Sequence, residues 1–355
     1  MIHTRSLTKD FVVSRHETVH AVRGISLDIE PGELVAVLGP NGAGKTTTLR
    51  MLTTLITPTS GSASVAGYDV VAHPAQVRHH IGYVGQGNAA GHNQRAVDEL
   101  VTQGVVHGLD RRAARRRADE LFEALDLAAL RTRKVADLSG GQRRRLDVAM
   151  GLVHAPSLLF LDEPSTGLDP HNRANLWDHV LRMRADALAT TGDPMTIVLT
   201  THYLDEADTM AERVVVVDHG EVIADDTAES LKTNLAGDRV VLGATTPDDG
   251  ARLAQLVSRA DGVREVETAG AQVTARAADG PTLLPALLRA ADHAGVVVAT
   301  AQVHRPTLDD VFLALTGRSL REPGTPGVPA ASSTAPTTPT TPTTESVALS
   351  GKDAA

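Results

Sequence analysis

One stretch limits what this chain can fold into more than any other: Gly39-Pro40-Asn41-Gly42-Ala43-Gly44-Lys45-Thr46-Thr47. It follows the uninterrupted apolar run Leu34 to Leu38 and leads into a helical pattern that reaches about Leu55. A short, charge-free run of this kind reads as a strand buried on both faces. A strand, a glycine-rich loop ending in Lys-Thr and a helix in succession read as a phosphate-binding P-loop. The chemistry accounts for the spacing: glycines let backbone N–H groups converge on the β- and γ-phosphates of a nucleotide, and the helix N-terminus adds the positive end of its dipole. Lys45 is placed to neutralise phosphate charge, and the Thr46 hydroxyl to ligate Mg²⁺. Lysine is scarce, at five of 34 basic residues, so a lysine at this position owes little to composition. An ordinary glycine-rich turn is the bland alternative, and the flanking strand and helix weigh against it.

Such a loop, if it is to cleave a phosphate bond, needs a second acid and a group that positions water. The run Ser157-Leu158-Leu159-Phe160-Leu161 ends in Asp162-Glu163-Pro164, which sets two carboxylates at the carboxyl end of a second buried strand. Asp162 is the natural acid to hold Mg²⁺, and Glu163 the natural general base for the attacking water. A pair of acids opening a surface loop is the rival reading. Ile197 to Thr200 and Val214 to Val217 look like further buried strands, and helical patterns alternate with these runs up to about Gly237. The best marked helix, Arg111 to Asp126, spaces Ala114, Ala118, Leu121 and Leu125 along one face. This alternation predicts an α/β fold with a largely parallel core sheet.

After Gly237 the pattern restarts as strand (Arg239 to Gly243), helix (Pro247 to Ala260), strand (Val263 to Val266), strand (Gln272 to Ala277), helix (Pro281 to Ala294) and strand (Val296 to Val303). That order is a split β-α-β unit of ferredoxin-like type. A short last helix is expected near Thr307, whose hydroxyl can cap it with Asp310 three residues on. From Glu322 six prolines and eight threonines in 34 residues predict an extended or disordered tail. The expected divisions are 1–237, 238–318 and 319–355.

Composition removes several classes of function. With no cysteine, disulfides, thiolate metal sites and cysteine nucleophiles are excluded. A net charge of −9 argues against a surface that binds nucleic acid or anionic lipid throughout. Eight aromatic residues are too few for broad base-stacking platforms. Met1 to Asp10 holds no apolar stretch of signal-peptide length, and no run approaches the roughly 18 apolar residues of a membrane span. The expectation is a soluble chain, reaching a membrane only through a partner.

Between the two phosphate-site motifs lies Leu138-Ser139-Gly140-Gly141-Gln142, leading into the helical run Arg143 to Val153. Here the sequence resembles the ATP-binding cassette (ABC) ATPase family, whose signature sequence this is. Other elements follow in that family's order across residues 1 to about 237. Gln86 in Gly82-Tyr83-Val84-Gly85-Gln86 resembles the Q-loop, Ser165-Thr166-Gly167-Leu168-Asp169 the D-loop, and His202 in Leu199-Thr200-Thr201-His202 the switch histidine. The resemblance implies a P-loop ATPase with a helical subdomain, using ATP and Mg²⁺. Ser139, Gly140 and Gly141, with Gln142, present hydroxyl and backbone donors at a helix start, a geometry that holds an anion. In the family the signature of one subunit closes over the ATP held by another, so the site is composite, and a head-to-tail homodimer is the simplest closed solution. Asp169 would take part in communication across that dimer. His202 would contact the γ-phosphate, and Gln86 would contribute near Mg²⁺ or the water and report nucleotide state. Taken alone, His202 reads as one of fifteen unremarkable histidines, and a free surface glutamine is the rival reading of Gln86. Phe11 stands where the family commonly places an adenine-stacking aromatic, usually tyrosine; a core phenylalanine is its rival.

Arg111, Arg112, Arg115, Arg116 and Arg117 suggest a nucleic-acid patch at first sight, but no aromatics interleave and an apolar stripe shares the helix, so a solvated face is favoured. The segment from Gly87 to Leu100, in the region that meets the membrane partner in the family, fits family patterns least. Pro58-Thr59-Ser60-Gly61, Gly67-Tyr68-Asp69-Val70 and Thr307-Leu308-Asp309-Asp310-Val311-Phe312-Leu313-Ala314-Leu315-Thr316-Gly317 look most like the daunorubicin-resistance type of drug-export subunit. That likeness implies an ATPase driving a separate transmembrane permease of ABC-2 type, at the cytoplasmic face of a bacterial membrane, to export a small hydrophobic compound, with no nucleic acid involved. The alternative is a soluble ABC ATPase acting on nucleic acid or the ribosome. One cassette rather than two, no long coiled-coil insertion, no cysteine zinc site and an acidic chain stand against it.

Overall fold

The computed structural model describes residues 1–192 and 194–317; the expected Pro/Thr-rich tail at 319–355 lies outside the described residues. The chain opens with a long antiparallel hairpin, β1 (Ile2–Ser14) and β2 (Glu17–Ile29), then dives into the core as β3 (Leu34–Leu38) and leaves it through α1 (Lys45–Leu52). Next come β4 (Ser60–Val65), β5 (Tyr68–Asp69), α2 (Pro74–His80), β6 (Ile81–Val84), α3 (Ala96–Val106), α4 (Arg111–Ala124) and α5 (Gly140–Leu152). Then follow β7 (Leu158–Asp162), α6 (Pro170–Thr191), β8 (Thr196–Thr201), α7 (Leu204–Met210), β9 (Arg213–Asp218), β10 (Glu221–Asp226) and α8 (Ala228–Leu231).

The expected parallel sheet is present, in the order β10-β9-β3-β8-β7-β6, with only the edge strand β10 antiparallel. All of β3, β7 and β8 is buried, as their continuous apolar runs require. Alternation divides their side chains between two cores. Leu34, Ala36, Leu38, Leu159, Leu161, Ile197 and Leu199 pack with α4 and α5 on one face. Val35, Val37, Leu158, Phe160 and Val198 pack with α1 and the hairpin on the other. A second sheet, β2-β1-β4-β5, is antiparallel. Helix α4 begins where expected, capped by Asp110, which accepts from the Arg112 and Ala113 N–H groups. It ends at Ala124, and its Arg111, Arg112, Arg115 and Arg116 are exposed, the solvated face favoured above.

The C-terminal part folds as β11 (Asp238–Ala244), α9 (Pro247–Ser258), β12 (Val263–Ala269), β13 (Gln272–Ala277), α10 (Gly280–His293) and β14 (Val298–His304). Its antiparallel order β12-β13-β11-β14, with Leu253, Val257, Leu287 and Ala291 of the two helices in its core, is the ferredoxin-like arrangement. The last strand starts at Val298 rather than Val296, because Val296 is buried in the helix-facing core as the chain turns at Gly295. The last helix, α11 (Leu308–Thr316), carries the expected capping box between Thr307 and Asp310. Its partner is unexpected: Leu308, Val311 and Phe312 join the core of the parallel sheet, not that of the sheet they follow.

Candidate functional site

In the six-stranded sheet β3, β8, β7 and β6 are consecutive neighbours, and all four run parallel. Whatever follows their carboxyl ends therefore gathers along one edge, the usual place for a ligand in such a sheet. After β3 comes the loop at residues 39–44. Gly44 holds φ at +102°, and a Cβ there would stand 2.5 Å from the Ala21 carbonyl oxygen, so glycine is required. Ala43 ties the loop down, its N–H donating to Pro40 and its carbonyl accepting from Gly220. Lys45, Thr46 and Thr47 form the first turn of α1. The Lys45 ammonium is buried and donates to the Gly39 and Pro40 carbonyls at 2.7 and 3.1 Å. Burial lowers its pKa, while the carboxylates of Glu163 and Asp162 pull it back up.

Asp162 ends β7 and is fully buried. Its Oδ1 accepts from Thr46 Oγ1 at 2.9 Å and from Thr200 Oγ1 of β8 at 2.7 Å, and its Oδ2 lies 3.4 Å from the Tyr83 hydroxyl of β6. Burial raises the Tyr83 pKa, and the Asp162 charge adds to it. Gln86, just beyond β6, donates from Nε2 to Thr46 Oγ1 at 3.2 Å. Glu163 has φ +47°, a left-handed conformation that costs a residue with a Cβ about 1–2 kcal/mol. It is held there by its N–H, 3.1 Å from both the carbonyl and the hydroxyl of Thr200. Its Oε1 stands 3.8 Å from Lys45 Nζ, and its Oε2 accepts from Thr166 Oγ1 at 3.2 Å. His202, beyond β8, brings Nδ1 within 3.4 Å of Glu163 Oε2, and this buried nitrogen has no hydrogen-bond partner among the described residues. The four loops thus assemble a cation, a hydroxyl, a metal-type carboxylate and a candidate base with a histidine beside it, the parts needed to bind and cleave a polyphosphate.

Comparison with known proteins places this site in a family. Residues 22–166 match the ABC transporter family, and residues 227–316 match the C-terminal domain of ATP-binding protein DrrA1-3-like. The daunorubicin resistance ATP-binding protein DrrA3 of Streptomyces coeruleorubidus is 42% identical over 317 residues, 89% of this chain and 97% of that protein. The chain belongs to the ABC transporter ATP-binding proteins. Other relatives are the linearmycin resistance ATP-binding protein LnrL of Bacillus subtilis, 33% identical over 85% of this chain and 95% of its own, and a Nod factor export ATP-binding protein of Ralstonia nicotianae, 35% identical over 90% and 96%. Among solved structures, cbiO1 from Clostridium perfringens, part of the ABC transporter complex cbiONQ, is 26% identical with a TM-score of 0.56 over 64% of this chain and 88% of that one. As an ABC transporter ATP-binding protein the chain is an ATPase, and such subunits dimerise and work with transmembrane partners.

The remaining expected residues, Ser139 to Gln142, Asp169 and Phe11, have other surroundings. Ser139 caps α5, accepting from Gln142 N–H while its own N–H donates to Gln142 Oε1. Gly140 and Gly141 open that helix, and Gly141 lies so close to Asn172 that a Cβ would meet its side-chain oxygen at 2.6 Å. Asn172 is bonded in turn to Asp169, which caps α6, so the signature and the D-loop residue share one corner. Phe11 lies on β1 at 40% exposure with Lys9 Nζ 5.2 Å from its ring centre; it is not a core residue.

Four residues that hold this ABC site together were missed in the sequence. Thr200 and Tyr83 grip Asp162, and their signal was faint: polar groups near the ends of buried strands. Arg144 and Asp147 of α5 had a plainer one, charges in a helix whose following residues Leu146, Val148, Ala149 and Leu152 are all buried.

Proposed function

We propose that this chain is the ATP-hydrolysing subunit of a bacterial drug exporter, working as a homodimer on a separate ABC-2 type permease at the cytoplasmic face of the membrane. The meeting of Lys45, Thr46, Asp162 and Glu163 at one sheet edge carries the hydrolytic part, with Lys45 Nζ 3.8 Å from Glu163 Oε1 and Thr46 Oγ1 2.9 Å from Asp162 Oδ1. Relatives named for resistance to daunorubicin, doxorubicin and linearmycin support a small hydrophobic drug as cargo. The ATPase division is 1–237 and the accessory division 238–318, with α11 packed on the ATPase side.

The ATP phosphates enter the cradle of residues 39–47, and Lys45 turns its ammonium from the loop carbonyls to the phosphate oxygens. Phe11 offers its exposed ring to the adenine. Glu163 accepts a proton from the attacking water, and His202 orients that water against the γ-phosphate. Thr46 Oγ1 and Asp162 Oδ1 are oxygens already in contact, and Gln86, which touches Thr46 through Nε2, would add its carbonyl oxygen on turning its amide; such oxygens are the hard ligands that Mg²⁺ takes, so these residues fit the ion and would hold it. Bound there, Mg²⁺ supplies charge neutralisation of the β- and γ-phosphates. Ser139 to Gln142 reach the ATP of the partner subunit, and Asp169 sits at that junction.

The test is transport into inverted vesicles containing the permease, across a panel of amphiphilic drugs, with Glu163→Gln beside the wild type. ATP-dependent drug accumulation is expected from the wild type. The variant should bind ATP, lose most turnover and elute as an ATP-dependent dimer. Near-normal turnover in the variant would refute Glu163 as base. Co-purification with ribosomes or nucleic acid, and no transport, would favour the soluble alternative.

A further inference from the structure

Arg144 and Asp147 stand on the signature helix α5 at 8% and 2% exposure, outside the phosphate cradle. Burial lowers the Arg144 pKa and raises that of Asp147. Their mutual ion-pair contact is long, at 4.0 Å, and Asp147 Oδ2 is buried without a hydrogen-bond partner among the described residues. A pair this deep and this loosely joined gives the core little that apolar side chains would not give better.

What the pair does hold is backbone, on both sides of the active site. Arg144 donates from Nη1 to the Gly85 carbonyl at 2.7 Å and from Nε to the Pro164 carbonyl at 2.6 Å. Its Nη2 reaches the carbonyls of Asp162 and Glu163 at 3.3 and 3.4 Å. Asp147 Oδ1 accepts from the N–H groups of Ala89 and Ala90 at 3.0 and 3.3 Å. Gly85 and Ala89 bracket Gln86, so both ends of its loop are fastened to one helix, within its first three turns from Ser139. The same guanidinium grips the strained turn that aims Glu163.

We propose that Arg144 and Asp147 are positioning residues that lock the Gln86 loop and the Glu163 turn to the signature helix, so that nucleotide contacts in a chain's own site and the placement of its signature change together. This rests on the roles given above to Glu163 and Gln86. Displacing a catalytic group by about 1 Å costs up to about a hundredfold in rate, whereas the phosphate cradle, built on α1, stays intact.

The experiment measures ATP turnover and fluorescent-nucleotide affinity for Arg144→Met, Arg144→Lys, Asp147→Asn and the double variant Arg144→Met/Asp147→Asn, with Glu163→Gln as reference. Arg144→Met should lose about ten- to a hundredfold in kcat with nucleotide affinity within about threefold of wild type. Arg144→Lys, retaining a donor, should recover part of the loss. The double variant should lose no more than Arg144→Met, because the pair acts as a unit. Introduced into Glu163→Gln, Asp147→Asn should weaken ATP-dependent dimerisation, the readout of signature placement. Should Arg144→Met fail to fold, Asp147→Asn carries the same comparison. Wild-type kcat in both single variants overturns the proposal, and so does a loss of kcat matched by an equal loss of affinity. Normal turnover in Glu163→Gln would instead strike the reading of the site itself.

Discussion

Phe312→Ala tests whether the last helix belongs to the ATPase core that the structure gives it. α11 has nine residues, too few to hold a helix in water unaided, so its packing must hold it. Phe312, Val311 and Leu308 are each 1% exposed in the core of the parallel sheet, and Leu204 and Met210 of α7 pack against the same cluster. Truncating a buried phenylalanine costs about 3–5 kcal/mol, and in a domain of this size that lowers Tm by roughly 6–20 °C. The effect should also have an address. Helix α7 carries Glu206, whose Oε2 accepts from Thr201 Oγ1 at 2.9 Å, and the same hydroxyl accepts from Tyr203 N–H at 2.9 Å, on either side of His202. Hydrogen exchange read by mass spectrometry should therefore show lost protection in α7 and around His202, with α9 and α10 little changed, and ATP turnover should fall. Leu287→Ala, in the accessory core, should give the opposite map. Exchange that rises in α9 and α10 while α7 keeps its protection would refute the reasoning.

Other perturbations have equally definite outcomes. Lys45→Ala should weaken ATP binding at least about tenfold, since a charge-assisted bond is worth roughly 1.5–3 kcal/mol; unchanged affinity in a nucleotide titration would count against the cradle. Phe11→Ala should raise KM for ATP about tenfold and Phe11→Tyr restore it, as expected when a ring stacks on a base; an unchanged KM places the adenine elsewhere. His154, half-buried and stacked on His107 with ring centres 3.8 Å apart, has its pKa lowered to about 4 by desolvation, with His107, His79 and Arg117 adding repulsion while its bond to the Ile81 carbonyl opposes the shift. A histidine kept neutral by folding contributes stability that is complete above its unfolded pKa near 6.5 and is lost as pH falls from there to about 4. His154→Asn should flatten denaturation free energy against pH over that window, and an unaltered slope would show that His154 titrates normally.

Much of this could be read before any coordinates, for a physical reason. Strands buried on both faces must be apolar throughout, so Leu34 to Leu38 and Leu158 to Leu161 declare themselves, and the residues that follow them are fixed at one sheet edge by parallel topology. The hairpin β1–β2 was not legible, because its outer half is exposed and its residues Phe11 to Ser14 and Glu17 to His20 alternate poorly. Nor was the destination of α11: its cap and apolar face are local and were visible in Thr307 to Leu315, but which of two cores would receive that face depends on a chain path no periodicity encodes. Thr200, Tyr83, Arg144 and Asp147 were hidden for the same reason, since each acts on backbone or carboxylate groups far away in sequence.

That pattern bears on how the site works. The groups expected to act on the ATP phosphates come from segments beyond four different strands, and each segment alone would be free to shift. Asp162 is shared by a hydroxyl from α1, one from β8 and one from β6, at 2.9, 2.7 and 3.4 Å, so one carboxylate fixes the mutual register of four strand ends. Removing it should do more than remove a metal ligand: the buried hydroxyl of Thr200 would lose its acceptor, and an unpaired buried polar group costs about 1–3 kcal/mol. Asp162→Asn keeps an oxygen acceptor at this position and Asp162→Ala does not. The two should therefore be alike in lost turnover and unlike in melting temperature, with the alanine variant lower. Equal melting temperatures would mean that the sheet edge holds its register without this carboxylate and that Asp162 serves catalysis alone.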